Sequence, residues 1–127
     1  MRVVFFPVHT PVEKLKRLAQ VADVHFKKAD PLLFFVPDET AWKFVNELLW
    51  KLPPASFLPH PSKLLHIRLQ LDAQVGTVFN LTPVALPSGC CKVVYEFEDA
   101  TSPEKERLAK ARYESYKGFG CPISVET

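Results

Sequence analysis

Glycine is scarce in this chain, four among 127 residues, and its scarcity removes several functions at once. Loops that cradle phosphates need closely spaced glycines so that the backbone can approach the ligand, and neither GxGxxG nor a GxxxxGKS/T run occurs. The turn after the first apolar run is PVHTP, with no glycine at all. A GxSxG nucleophile turn is missing too. Cysteine is nearly as rare: Cys90, Cys91 and Cys121, an odd number that fits reduced thiols better than a disulfide framework. Cys90 and Cys91 are adjacent, which is not zinc-knuckle spacing, and His9, His25, His60 and His66 form no HExxH pattern, so neither metal nor cofactor is expected. No apolar run approaches the roughly 20 residues of a membrane span. The opening MRVVFFPVHTPVEK is apolar for too short a run and has no small-residue cleavage site, so a cytoplasmic protein without membrane contact is expected. Nor is there an excess of one charge: 16 Lys and Arg against 14 Asp and Glu give a formal +2, too little to imply direct nucleic-acid binding.

What is present reads as a single soluble domain over residues 1–127, with 47% apolar and 24% charged residues and ten phenylalanines. RVVFFPV (2–8) is a continuous β-branched and aromatic run, the mark of a strand buried on both faces. Thr10, Pro11 and Glu13 then supply an N-cap, a first-turn proline and the acid of a capping box for a helix that ends before Asp30-Pro31. LLFFV (32–36) is a second buried strand. Asp38 caps a second helix with an apolar stripe at Ala41, Val45, Leu48, Leu49 and Leu52, ended by Pro53-Pro54. LLHIRLQL (64–71) alternates with period two, and TVFNL (77–81) and KVVYEF (92–97) are further strands. Ser102-Pro103-Glu104 opens a last helix that stops at Gly118 or Gly120, leaving a tail, CPISVET, too short to assign. The alternation predicts a three-layer α/β/α domain around a mostly parallel sheet of about five strands, nucleotide-binding-like but without a nucleotide motif.

Two stretches stand out. In PEKERLAKARYESYKGFG (103–120), Lys110, Tyr113 and Lys117 share one helix face, Arg107 extends it, and Arg112 and Tyr116 form a neighbouring strip. Cations interleaved with tyrosines can hold an anionic ligand with an aromatic part; a solvated face with cations suited to the helix dipole is the competing explanation. LWKLPPASFLPHP (49–61) packs Trp50, Phe57 and four prolines into one connection. A surface loop has little use for such groups, so this is either a plug closing the core or a patch gripped by another protein.

Together the two stretches resemble the chi subunit family of bacterial DNA polymerase III. Leu49-Trp50 followed by Ser56-Phe57-Leu58-Pro59-His60 is similar to one family segment, and LAKARYESYKGFG (108–120) to the family's Ala-Arg-x-Arg-aromatic-x-x-Tyr helix. Lys110 stands where the family usually has arginine, Glu114 where some relatives are basic, and PSKLLHIRLQL lacks the glycine that relatives carry after Pro-His. The resemblance implies a non-catalytic accessory subunit associated with the clamp loader, the DNA-directed DNA polymerase activity belonging to the holoenzyme. It implies an adaptor that binds the acidic C-terminal tail of single-stranded DNA-binding protein (SSB) through Lys110, Arg112, Tyr113, Tyr116 and Lys117. It assigns Trp50 and Phe57 to a second surface, for a psi-like subunit or a helicase-like protein, with DNA engaged only indirectly. The alternative from the residues alone is a small enzyme on the same nucleotide-binding-like fold.

Overall fold

The computed structural model describes residues 1–50, 65–71 and 75–127. Along the chain run β1 (Arg2–Val8), α1 (Pro11–Lys27), β2 (Leu32–Phe35), α2 (Glu39–Trp50), β3 (Leu65–Arg68), β4 (Val75–Asn80), β5 (Cys91–Asp99), α3 (Pro103–Gly118) and β6 (Ile123–Val125). The strands form one six-stranded sheet in the order β3-β2-β4-β5-β1-β6, with every pairing parallel. This is the expected α/β architecture with one strand more. The addition is β6, from the tail, which pairs Val3, Val4 and Phe5 of β1 with Ile123, Ser124 and Val125. A three-residue edge strand carries too little pattern of its own to be read; docking beside β1 defines it.

The strand order dictates the layers. From β1 the chain steps towards β2 and then β3, whereas from β5 it steps the opposite way to β6. Right-handed crossovers therefore put α1 and α2 on one face and α3 on the other. The core divides accordingly. Val4, Phe6 and Val8 of β1 join Leu18, Ala22, Val45 and Leu49 of α1 and α2. Val3 and Phe5, alternate residues of the same strand, join Val94 of β5 and Tyr116 of α3 on the opposite face. That double burial is why RVVFFPV is apolar throughout.

Local signals act where the sequence puts them. Thr10 Oγ1 accepts from the Glu13 N–H at 3.1 Å while Glu13 Oε1 accepts from the Thr10 N–H at 3.0 Å, a complete capping box. Ser102 caps α3 by accepting from the Lys105 N–H, and α3 ends at Gly118. The strand expected over 64–71 is shorter: Leu65 and Ile67 are buried on β3, but Leu69 is exposed, because β3 is an edge strand and pairs only through Arg68. Of LWKLPPASFLPHP only the end of α2 lies within the described residues. Phe57 lies outside them, and of Trp50 only the backbone is described.

Candidate functional site

The helix α3 meets the sheet through Ala109, Arg112 and Tyr116, its three buried residues. Opposite them is Glu96, in the middle of β5 and fully buried. Arg112 Nε donates to Glu96 Oε1 at 3.0 Å. Tyr116 Oη donates to Glu96 Oε2 at 2.5 Å, and Asn80 Nδ2 to the same oxygen at 2.7 Å. The remaining guanidinium nitrogens donate to the carbonyls of Pro83 and Phe97, and the Leu86 N–H donates to Tyr116 Oη. Burial pushes the Glu96 carboxyl up to about 7, with the nearby Arg112 charge and the three hydrogen bonds pulling the other way. Burial, then the Glu96 charge, push the Tyr116 phenol up as well.

This arrangement divides the five helix residues that the sequence grouped together. Arg112 and Tyr116 face inward and clamp α3 to β5 and to the segment that follows β4. Lys110, Tyr113 and Lys117 remain on the outside. The sequence reading missed Glu96 as their anchor. The signal was there: in KVVYEFE, Glu96 shares the parity of the core residue Val94, and a carboxylate at a core-facing position needs a buried partner.

The linkage for Glu96 has a definite sign. Its carboxyl titrates near 4.5 when unfolded and about 7 when folded, so between these values the folded chain holds a proton that the unfolded chain has lost. The stability contribution is full below about 4.5 and is lost as pH rises through about 7. We expect wild type to lose stability relative to Glu96→Gln on going from acid to neutral pH, measured by urea unfolding at several pH values. Parallel curves for the two proteins contradict this.

On the outer side, α3 and the sheet enclose an open groove of about 820 Å³. Its apolar surface is Phe5 of β1, Ala109 and Tyr113 of α3 and Val125 of β6. The Phe5 and Tyr113 rings are tilted against each other with centroids 5.6 Å apart. Its polar rim is Lys110, Glu106 and Glu114 of α3, with His9, Glu98 and Asp99 from the ends of β1 and β5. The groove thus lies beside the carboxyl ends of β1 and β5, the adjacent strands whose following helices leave to opposite faces. Such a switch point is where open α/β sheets place their ligands. Lys110 Nζ stands 3.8 Å from Glu106 Oε1, with both side chains more than half exposed, a loose pair that a stronger anion can displace. Asp99 is committed: burial raises its pKa, but the hydrogen bond from Lys14 Nζ at 2.7 Å and those from Thr101 outweigh this and hold it below the ordinary range. Lys117 is exposed but does not line the groove.

A smaller cavity of about 290 Å³ lies where α1, α2 and α3 meet the ends of β4 and β5. Its charged and amide groups are largely engaged with one another: Lys14 with Asp99, Arg112 with Glu96, and Asn80 with Glu96, Val84 and Thr82. Among the described residues no group of three His, Cys, Asp or Glu is placed to hold a metal, and no helix is long and apolar enough to cross a membrane. Cys90, Cys91 and Cys121 are free thiols.

The model of one protein family, described as DNA polymerase III chi subunit, HolC, matches residues 1–124. No curated protein matches the chain.

Proposed function

The chain belongs to the DNA polymerase III chi subunit family, and from that premise we propose that the groove beside α3 captures the C-terminal tail of single-stranded DNA-binding protein. The protein then acts as a non-catalytic adaptor linking SSB-coated DNA to the clamp loader. One observation carries the reading. A lysine ammonium and a tyrosine ring stand over the apolar floor of the groove, Lys110 and Tyr113 over Phe5, Ala109 and Val125. An apolar terminal side chain fits against the rings, and the free terminal carboxylate takes Lys110 away from Glu106. Arg112 and Tyr116 hold the helix at the right height, and Lys117 adds a cation beyond the groove.

Trp50 and Phe57 belong, in the same proposal, to a second surface that receives a psi-like subunit or a helicase-like protein. Retention of that partner by wild type and its loss from Phe57→Ala in a pull-down from the native cell is the expected result. DNA is engaged through the partners.

The groove is tested by titrating a short peptide ending in phenylalanine, once with a free carboxylate and once amidated. The free acid is expected to bind in the weak range usual for a short tail, and the amide about tenfold more weakly, the loss of one charge-assisted contact. Equal binding of the two peptides removes the role given to Lys110.

A further inference from the structure

Three cysteines and a single methionine are all the sulfur in this chain, and three of those four side chains meet at one point. Cys90 Sγ lies 3.7 Å from Cys91 Sγ, and each lies 4.0 Å from Met1 Sδ. Met1 is 89 residues from Cys90, so the fold brings them together. The register of β1 on β5, with Arg2 against Val93, sets Met1 beside the start of β5. Just before β5 the chain turns tightly. The Cys90 N–H donates to the Pro87 carbonyl at 3.3 Å, and the third residue of the turn, Gly89, takes a φ of 80° that favours glycine. Neighbours along a strand point to opposite faces, but Cys90 belongs to the turn, which lets its thiol share a side with Cys91. Cys91 is buried at the margin of the core under α3, whereas Met1 and Cys90 are half-buried and leave the cluster within reach of solvent. The cluster lies at the amino ends of β1 and β5, the opposite end of the sheet from the groove.

We propose that Met1, Cys90 and Cys91 form a trigonal binding site for Cu(I). The three sulfurs make a nearly equilateral triangle whose centre is about 2.3 Å from each, the length of a metal–thiolate bond. The donor set selects the ion. Two thiolates and a thioether are soft ligands, which favour Cu(I). Zinc takes four nitrogen, thiolate or carboxylate ligands in a tetrahedron, and among the described residues no third His, Cys, Asp or Glu joins Cys90 and Cys91. On binding, Cu(I) bonds to the two cysteine sulfurs and to the methionine sulfur. The two thiol protons pass to solvent, and copper keeps its charge. The bound ion ties the start of β1 to the start of β5. The site makes no use of α3 or of the peptide groove, so the two stand or fall separately.

The test titrates the intact, reduced chain with Cu(I) in the absence of oxygen, against a coloured chelator that reports affinity and stoichiometry. X-ray absorption at the copper edge then identifies the ligands. Because Met1 is the only methionine, selenomethionine labels this site alone. The expected result is one Cu(I) per chain with three sulfur or selenium neighbours at about 2.3 Å, one of them selenium. Cys90→Ser and Cys91→Ser are each expected to weaken binding by about a hundredfold or more, since even a group that only supports a metal ligand is worth about 10–100-fold. Cys90 is half-buried, so its variant remains informative if Cys91→Ser fails to fold. Cys121 packs against the same core without a sulfur contact to the three, and Cys121→Ser is expected to stay within about twofold of wild type. Zn(II) is expected not to displace the bound copper. Absence of binding, a copper site without a selenium neighbour, a loss in Cys121→Ser equal to that in Cys90→Ser, or a mature chain whose intact mass shows Met1 removed overturns the proposal.

Discussion

Replacing Arg112 with alanine is expected to cost about 3–5 kcal/mol of stability, the largest effect of any single change in α3. The reason is not the removal of an attraction alone. Glu96 has no access to solvent, and Arg112 is the cation that faces its carboxylate. Taking the guanidinium away leaves a buried acid with only Tyr116 and Asn80 as donors, and frees the carbonyls of Pro83 and Phe97 from their partner. The buried carboxyl can escape by taking up a proton, so the loss is expected to be smaller at acid than at neutral pH. Chemical denaturation of wild type and Arg112→Ala at both conditions measures this. A loss below about 1 kcal/mol at neutral pH, the scale of an exposed pair, contradicts the buried-clamp account.

The second large effect concerns binding. Lys110→Ala is expected to weaken the free-acid peptide about tenfold, the equivalent of one charge-assisted hydrogen bond at a site open to solvent. Its stability should hardly change, since the side chain is mostly exposed and its pairing with Glu106 is loose. Lys117→Ala is the informative control. It lies seven residues on, on the same face by sequence, yet does not line the groove, and its binding is expected to stay within about twofold of wild type. If the two variants weaken binding equally, the ligand follows the charged face of the helix rather than the groove.

The contrast between those two lysines marks how far the sequence could be read. Periodicity grouped Lys110, Tyr113 and Lys117 correctly as one face, but a helix face has no floor until the sheet supplies it. Phe5 and Val125 come from strands at the two ends of the chain, and the three-residue β6 that carries Val125 has no local signature. The α/β class and the parallel sheet were legible because β1 and β2 are apolar throughout and their helices open with strong caps. The inward turn of Arg112 and Tyr116 was not legible from α3 alone. It follows from Glu96, seven residues before the helix begins, whose parity with Val94 aims a carboxylate at the helix. His25 makes the same point. Its sequence setting suggests no role, yet it is buried, with Nε2 2.7 Å from Tyr95 Oη and Nδ1 3.0 Å from the Asp30 carbonyl, tying the end of α1 to the sheet. Long-range polar pairs of this kind leave one odd residue in each of two segments, and only the fold reveals that they meet.

Where a tail peptide sits is the central claim, and backbone amide shifts recorded while a free-acid peptide is titrated into the labelled chain address it most directly. The account predicts that the largest shifts cluster on Phe5, His9, Ala109, Lys110, Tyr113 and Val125, around the groove between α3 and β6. Shifts centred instead on Phe44, Leu81 and Leu108, around the smaller cavity beside α2, would contradict it.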